Sequence, residues 1–293
     1  MPNYMNNNVD AADFGRAWYE LLDRLYHCGE PSSPRDQATR ELIGVRLHVD
    51  DMTQNILLHP ERALNFRFMV AEWLWIAAAR NDAAFINRYN RRVAEMSSDD
   101  GVTLAGAYGP RLAPQLDYLL STLRQKADSR QAVATIWTPN PEPSRDVPCT
   151  VSWQLLLRHG KLHAVVTMRS SDIWLGLPYD FFNFSMLTMG LAGELEVEPG
   201  SITFNLGSSH LYNRDQVGAI KVLDDPGGID TLNSPRLPGR PPAEAIIEAS
   251  DLNYSRGFRF GDLWDTYLKV LTCQTSAMAM DILTRHAVGR VGQ

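Results

Sequence analysis

Two apolar runs, residues 151–157 and 162–168, flank His159-Gly160, and their β-branched and aromatic content reads as strand on both sides of a turn. Strands joined this closely pair antiparallel, so the middle of the chain is committed to a sheet. Residues 42–49, which follow the turn-rich loop of residues 29–35, have the same strand character. A sheet needs an apolar cover, and Leu64, Phe68, Ala71, Trp75, Ile76 and Ala79 recur with a 3.6-residue period. Trp73 and Leu74 widen that face until the helix reads as central, yet Glu72 sits inside it.

The remaining elements fit an α/β (α+β) chain. Phe14, Trp18, Leu21, Leu22 and Leu25 predict a first helix, and residues 116–124 and 181–195 predict two more. Leu263, Tyr267, Val270, Leu271 and Met278 predict one closing helix over 263–286. Strand-like stretches occupy 132–137 and 202–204, Pro235 to Pro242 is a surface loop, and the polar residues 1–10 are expected to be disordered. At 293 residues and 44% hydrophobic content the chain can bury a large core, and nothing forces a split, so residues 1–293 are expected to form a single catalytic domain.

Charge and cysteine usage narrow the function. A net charge of −6 argues against a nucleic-acid surface, which needs clustered phosphate neutralisation, though a free nucleotide needs only a local basic pocket. Cys28, Cys149 and Cys273 are far apart and odd in number, so neither a disulfide framework nor a metal site is indicated, and a reducing cytoplasm fits. No run approaches the length of a membrane span, and no apolar signal core opens the chain.

One ordered set of motifs carries chemistry. Pro148-Cys149-Thr150 offers a thiol, and Arg169-Ser170-Ser171-Asp172 follows, then Leu175-Gly176-Leu177-Pro178-Tyr179-Asp180. Upstream lie Ser33-Pro34-Arg35, Glu72-Trp73-Leu74-Trp75, Ala107-Tyr108-Gly109 and Asp128-Ser129-Arg130; downstream lies His210-Leu211-Tyr212. Taken singly these are bland: a cysteine after proline is usually a structural thiol, a lone helix glutamate usually reaches solvent, and Asp180 could simply cap the helix after it. In this order they resemble the thymidylate synthase family, and specifically its branch that hydroxymethylates pyrimidine nucleotides.

The resemblance implies a thymidylate synthase fold, a mostly antiparallel sheet with flanking helices that dimerises through the sheet face. It implies 5,10-methylenetetrahydrofolate as co-substrate and a pyrimidine nucleoside monophosphate as acceptor. Cys149 would add to C6 of the base, turning C5 into a nucleophilic, enamine-like carbon. Arg169 is the candidate to favour the thiolate. Arg35, Arg130, Arg169 and Ser170 would hold phosphate, a task suited to the planar, multiply donating guanidinium. Arg130 would reach into the partner subunit's site, making a homodimer with shared active sites. His210 and Tyr212 would hold the sugar, and Asp172, Leu175, Gly176 and Tyr179 would line the folate side. Glu72, expected to titrate high on so apolar a helix, would organise proton transfer, with Tyr108 near the thiol.

Asp180 points to the base. Synthases carry asparagine there, which matches the N3–H donor and O4 acceptor of uracil. An aspartate can accept from N4 of cytosine and, when protonated, donate to N3. Other departures concern the product. Gln131 replaces a second arginine, Thr150 replaces a histidine, and Val93 and Met96 stand where synthases carry folate-side tryptophans. Loss of those aromatics admits water, favouring hydroxymethyl over methyl. The C-terminal tail does not match the segment that closes over folate in synthases. The sequence therefore predicts 5-hydroxymethylation of dCMP, with CMP close behind. The alternatives are synthase-type methylation of dCMP or dUMP, and a nucleotide-binding protein without chemistry.

Overall fold

The structure, a computed structural model, describes residues 7–93, 99–139, 141, 143–252 and 259–288. In chain order the strands are β1 (Asn8–Ala11), β2 (Glu30–Ser32), β3 (Thr39–Val49), β4 (Gln54–Leu58), β5 (Val133–Thr135), β6 (Thr150–Arg158), β7 (Lys161–Met168), β8 (Ser171–Asp172), β9 (Glu198–Tyr212) and β10 (Asp230–Asn233). The helices are α1 (Phe14–Cys28), α2 (Phe66–Ala77), α3 (Ala83–Asn87), α4 (Gly109–Leu112), α5 (Leu116–Gln125), α6 (Leu177–Glu194), α7 (Gln216–Asp224), α8 (Ala243–Asp251), α9 (Asp262–Thr272) and α10 (Ser276–Val288).

The main sheet runs β1-β3-β9-β7-β6-β5, with β2 on β3 and β8 on β9. The β3–β9, β6–β7 and β5–β6 pairs are antiparallel, and β7 joins β9 in parallel. The β6–β7 hairpin turns at His159-Gly160, both with positive φ (51° and 72°), the handedness that a tight two-residue hairpin turn demands. Alternation along β7 buries Leu162, Ala164, Val166 and Met168 while His163, Val165 and Thr167 stay half-exposed on the opposite face.

Helix α6 covers the buried face. It is apolar nearly all round, with Phe181, Phe182, Phe184, Met186 and Met189 fully buried, as befits a helix packed on every side. Phe181 stacks on Phe14 of α1 with ring centroids 4.0 Å apart and on Phe204 of β9 at 5.6 Å. Helix α2 packs on α6 and is started by Asn65, whose side chain accepts from the Phe68 amide.

The mixed α/β class stands, and four expectations change. Residues 8–11 are not disordered: they form β1, parallel to β3. The strand expected at 202–204 runs from Glu198 to Tyr212, because its small and polar residues gain their order from two neighbours rather than from their own periodicity. The closing helix breaks in two at Cys273, whose extended backbone ends α9, so the period resets and Met278 lies 47% exposed instead of inward. Helix α6 begins at Leu177, four residues before Phe181, so Asp180 lies inside its first turn and does not cap it. Residues 1–6, Met96 and the tail from Gly289 lie outside the described residues. Among the described residues no helix is long and apolar enough to cross a membrane, and no cluster of ligating side chains could hold a metal ion.

Candidate active site

Cys149 stands immediately before β6, opposite Arg169 at the end of β7, whose amide donates to the Cys149 carbonyl at 2.8 Å. Arg169 passes this order on, since its own carbonyl accepts from Ser208 of β9. Gly207 permits that approach: a Cβ there would lie 2.9 Å from the Arg169 carbonyl oxygen. The Arg169 guanidinium donates from Nε to Pro148 O and from Nη2 to Val147 O, each at 3.0 Å, and its carbon lies 5.6 Å from the Trp137 ring centre. The cation is thereby fixed to the residues that deliver Cys149.

Cys149 is half-buried and free, as are the exposed Cys28 and the buried Cys273. Burial pushes the Cys149 thiol above its ordinary range, Asp180 and Asp146 push the same way, and Arg169 and Arg35 oppose them. The arginines therefore act in the expected direction without prevailing, and the protein by itself holds a thiol rather than a thiolate. Arg35, exposed beside β2, adopts left-handed φ 53°, as does Asp36 at 57°, a costly conformation for both. Ser170 is half-buried next to Arg169.

A cavity of about 150 Å³, room for about five waters, is lined by Glu72, Trp75, Val93, Tyr108, Asp146, Asp180 and Asn183, among others. Burial raises the Glu72 carboxyl to about 7, although Asn183 Nδ2 donates to its Oε2 at 2.8 Å and pulls the other way. Asp180 is held well above the carboxylate range, first by burial and then by Glu72 and Asp172. Asp146 is raised mainly by burial, and its Oδ2 accepts from the Gly106 amide at 2.7 Å. Three carboxyl groups thus share a pocket that favours their neutral forms. The Tyr108 phenol is also pushed well up, first by burial. Gly109 sets the Tyr108 turn against α2, where a Cβ would come 2.5 Å from the Ile76 carbonyl oxygen.

At the other end of the site, His210 and Tyr212 close β9 with their rings edge to face, centroids 5.2 Å apart. His210 is buried, which lowers its tendency to protonate; burial raises Tyr212. Asp172 Oδ1 accepts from the amides of Trp174 and Leu175, each at 2.9 Å, so the proposed folate-side aspartate also builds the turn into α6. Gly176 is the N-cap position of α6, and the Tyr179 hydroxyl accepts from the Asn65 amide at 3.0 Å. Arg62 Nη2 reaches the Leu175 carbonyl at 3.4 Å between the rings of Trp174 and Tyr179, while its buried Nε has no partner.

Arg130 stands apart. It is exposed ahead of β5, at the edge of the sheet, and its carbonyl accepts from Gln154 Nε2. Val133 pairs with Gln154, five residues after Cys149, or about 17 Å of strand, and Arg130 lies further along. Its side chain does not span that distance to Cys149 of the same chain. Gln131, in place of a second arginine, donates its amide to Ser129 Oγ, and Thr150 keeps its hydroxyl buried beside Tyr108.

Two polar cavity residues had no assigned role in the sequence. Asp146 was visible three residues before Cys149, and Asn183 stood as a lone amide between Phe182 and Phe184, one turn after Asp180.

Residues 16–225 match the sequence model of the family described as Thymidylate synthase. The chain is 30% identical over 228 residues to the deoxyuridylate hydroxymethyltransferase of Bacillus phage SP01, covering 71% of this chain and 59% of that protein. It is likewise 30% identical over 166 residues to a thymidylate synthase of Bacillus atrophaeus, covering 52% of this chain and 73% of that one. Thymidylate synthase 1 of Bacillus amyloliquefaciens matches over 166 residues at 30%, 72% of its length. The chain thus spans less than two thirds of the phage relative.

Proposed function

The chain belongs to the thymidylate synthase family, and we propose that it transfers a hydroxymethyl group to C5 of a cytidine monophosphate, dCMP ahead of CMP. The observation that carries this reading is Asp180 in the cavity with Glu72, its carboxyl held well above the ordinary range by burial, which favours the neutral form. A neutral acid can give a proton to N3 of cytosine while accepting from N4, and a protonated ring is more readily attacked at C6. Uracil already carries hydrogen on N3 and cannot take that proton.

Cys149 is the nucleophile at C6. Its thiol, held up by burial and Asp180, ionises when substrate and proton acceptor are both in place. Arg35, Arg169 and Ser170 bind phosphate, His210 and Tyr212 bind the sugar, and Arg130 serves the partner subunit's site in a homodimer. Glu72, near 7, is poised to shuttle protons at neutral pH, and Tyr108 borders the thiol.

Methylenetetrahydrofolate is the co-substrate of the family, and the chain's residues fit it. The unpartnered Arg62 Nε and the Trp174 and Tyr179 rings offer a cation and aromatic faces beside Asp172, Leu175 and Gly176. When bound, it supplies the one-carbon unit. Val93 on the cavity wall leaves room for the water that hydroxymethylation needs.

A second reading, hydroxymethylation of dUMP, is favoured by the name of the phage relative. Incubation with methylenetetrahydrofolate and dCMP, CMP or dUMP, followed by product mass analysis, separates these readings. A 5-hydroxymethyl product from cytidylate is expected. A methylated product, or turnover of dUMP alone, overturns the proposal.

A further inference from the structure

Asp180 by itself leaves the base undecided on binding grounds. A neutral carboxyl offers one acceptor and one donor, and turned over it fits N3–H and O4 of uracil as well as N3 and N4 of cytosine. Something fixed beside it must break that symmetry.

Asn183 has the required features. It lies one turn after Asp180 on α6, is 1% exposed, and lines the same cavity. Its Nδ2 is committed to Glu72 Oε2 at 2.8 Å, and its Oδ1 is buried with no hydrogen-bond partner. Buried amide oxygens are normally satisfied, so an orphan on a residue that lines the cavity is an acceptor without its donor. While Glu72 is ionised, its contact fixes the orientation of the amide, since a carboxylate accepts from the NH2 and leaves the oxygen free.

We propose that Asn183 is a specificity-determining residue whose Oδ1 accepts a hydrogen from the exocyclic amine of the base, so that the site selects a 4-aminopyrimidine nucleotide. This rests on the cytidylate reading above and deepens it. The amine of cytosine has two hydrogens, one for Asp180 and one for Asn183. O4 of uracil has none, and would leave Oδ1 unpaired against another oxygen. Turning the amide to suit uracil would set Oδ1 against Glu72, which is tolerated only when Glu72 is protonated. The Glu72 proton and the choice of base are therefore linked through one side chain.

The test compares kcat/KM for dCMP and dUMP, read by tritium release from C5-labelled nucleotide, in wild type, Asn183→Leu and Asn183→Ser. Leucine keeps the bulk without polar groups; serine is the less disruptive change should leucine fail to fold. The dCMP-to-dUMP ratio should fall between about fivefold and about a hundredfold, the loss of one buried hydrogen bond to the ligand. The pH limb assigned to Glu72 should move upward in both variants, because its amide donor is gone, which a mere packing role would not cause. A wild type that prefers dUMP overturns both this role and the cytidylate reading. A wild type that prefers dCMP, with ratio and pH limb unchanged in the folded variants, overturns the role of Asn183 alone.

Discussion

Glu72→Gln should stabilise the protein and stop its chemistry, and the stabilisation should depend on pH in a defined way. The Glu72 carboxyl titrates at about 7 in the folded chain against 4.5 ordinarily, a rise caused by burial. Below 4.5 both folded and unfolded states hold the proton, and the substitution changes little. Between 4.5 and 7 the unfolded chain ionises while the folded one does not, so wild type loses stability as pH rises through this window. Above 7 the loss levels off. At 1.36 kcal/mol per pH unit, linkage puts the penalty at about 0.8 kcal/mol at pH 5 and about 3 kcal/mol at pH 8. Glutamine has no charge to bury and keeps an oxygen for Asn183 Nδ2, so it escapes that penalty. Urea unfolding of wild type and variant at pH 5 and pH 8 measures it, with tritium release from C5-labelled dCMP read in parallel. An equal stability difference at both pH values would refute the claim that Glu72 is buried with a raised affinity for its proton.

Cys149→Ser should abolish turnover and leave nucleotide affinity within a few-fold, because the proposed phosphate and base contacts lie on other residues; substantial turnover would remove Cys149 from the reaction. Mixing inactive Cys149→Ser with inactive Arg130→Ala subunits should restore activity, since Arg130 lies too far along the sheet to serve its own chain's Cys149; no recovery after verified subunit exchange counts against a shared site. Asp180→Asn should lower kcat/KM on cytidylate by at least about tenfold and raise the uridylate-to-cytidylate ratio, because an amide cannot surrender a proton to N3. An unchanged ratio would remove Asp180 from base activation.

The parts of this fold that were legible in the sequence are those whose periodicity is local. The β6–β7 hairpin and α2 announce themselves because apolar spacing, turn residues and length agree within a few residues of one another. The far end of β9 does not: Asn205, Gly207, Ser208 and Ser209 have poor strand character, and become strand because β3 lies on one side and β7 and β8 on the other. The single helix expected over 263–286 failed because the turn at Cys273 is a tertiary event between two apolar segments. At the site, the motifs named Cys149, Glu72, Asp180 and Arg169, but a motif carries no electrostatics. The balance on the Cys149 thiol, where burial and two acids outweigh two arginines, depends on distances that only folding sets. Asn183 was silent for a related reason, since one amide in an apolar helix has no signature until its neighbour across the cavity is known.

The cavity carboxyls Glu72 and Asp180, with Asn183, ride on the packed pair α2 and α6, while Cys149, Arg169, His210 and Tyr212 sit at the ends of strands. On the proposed reading, recognition of the heterocycle and attachment to it would be mounted on separate pieces of scaffold. A lineage changing which pyrimidine it modifies would then rework side chains on two helices, and each change at Asp180 would also reset the charge balance on the Cys149 thiol. Specificity and thiol reactivity in such a protein would shift together.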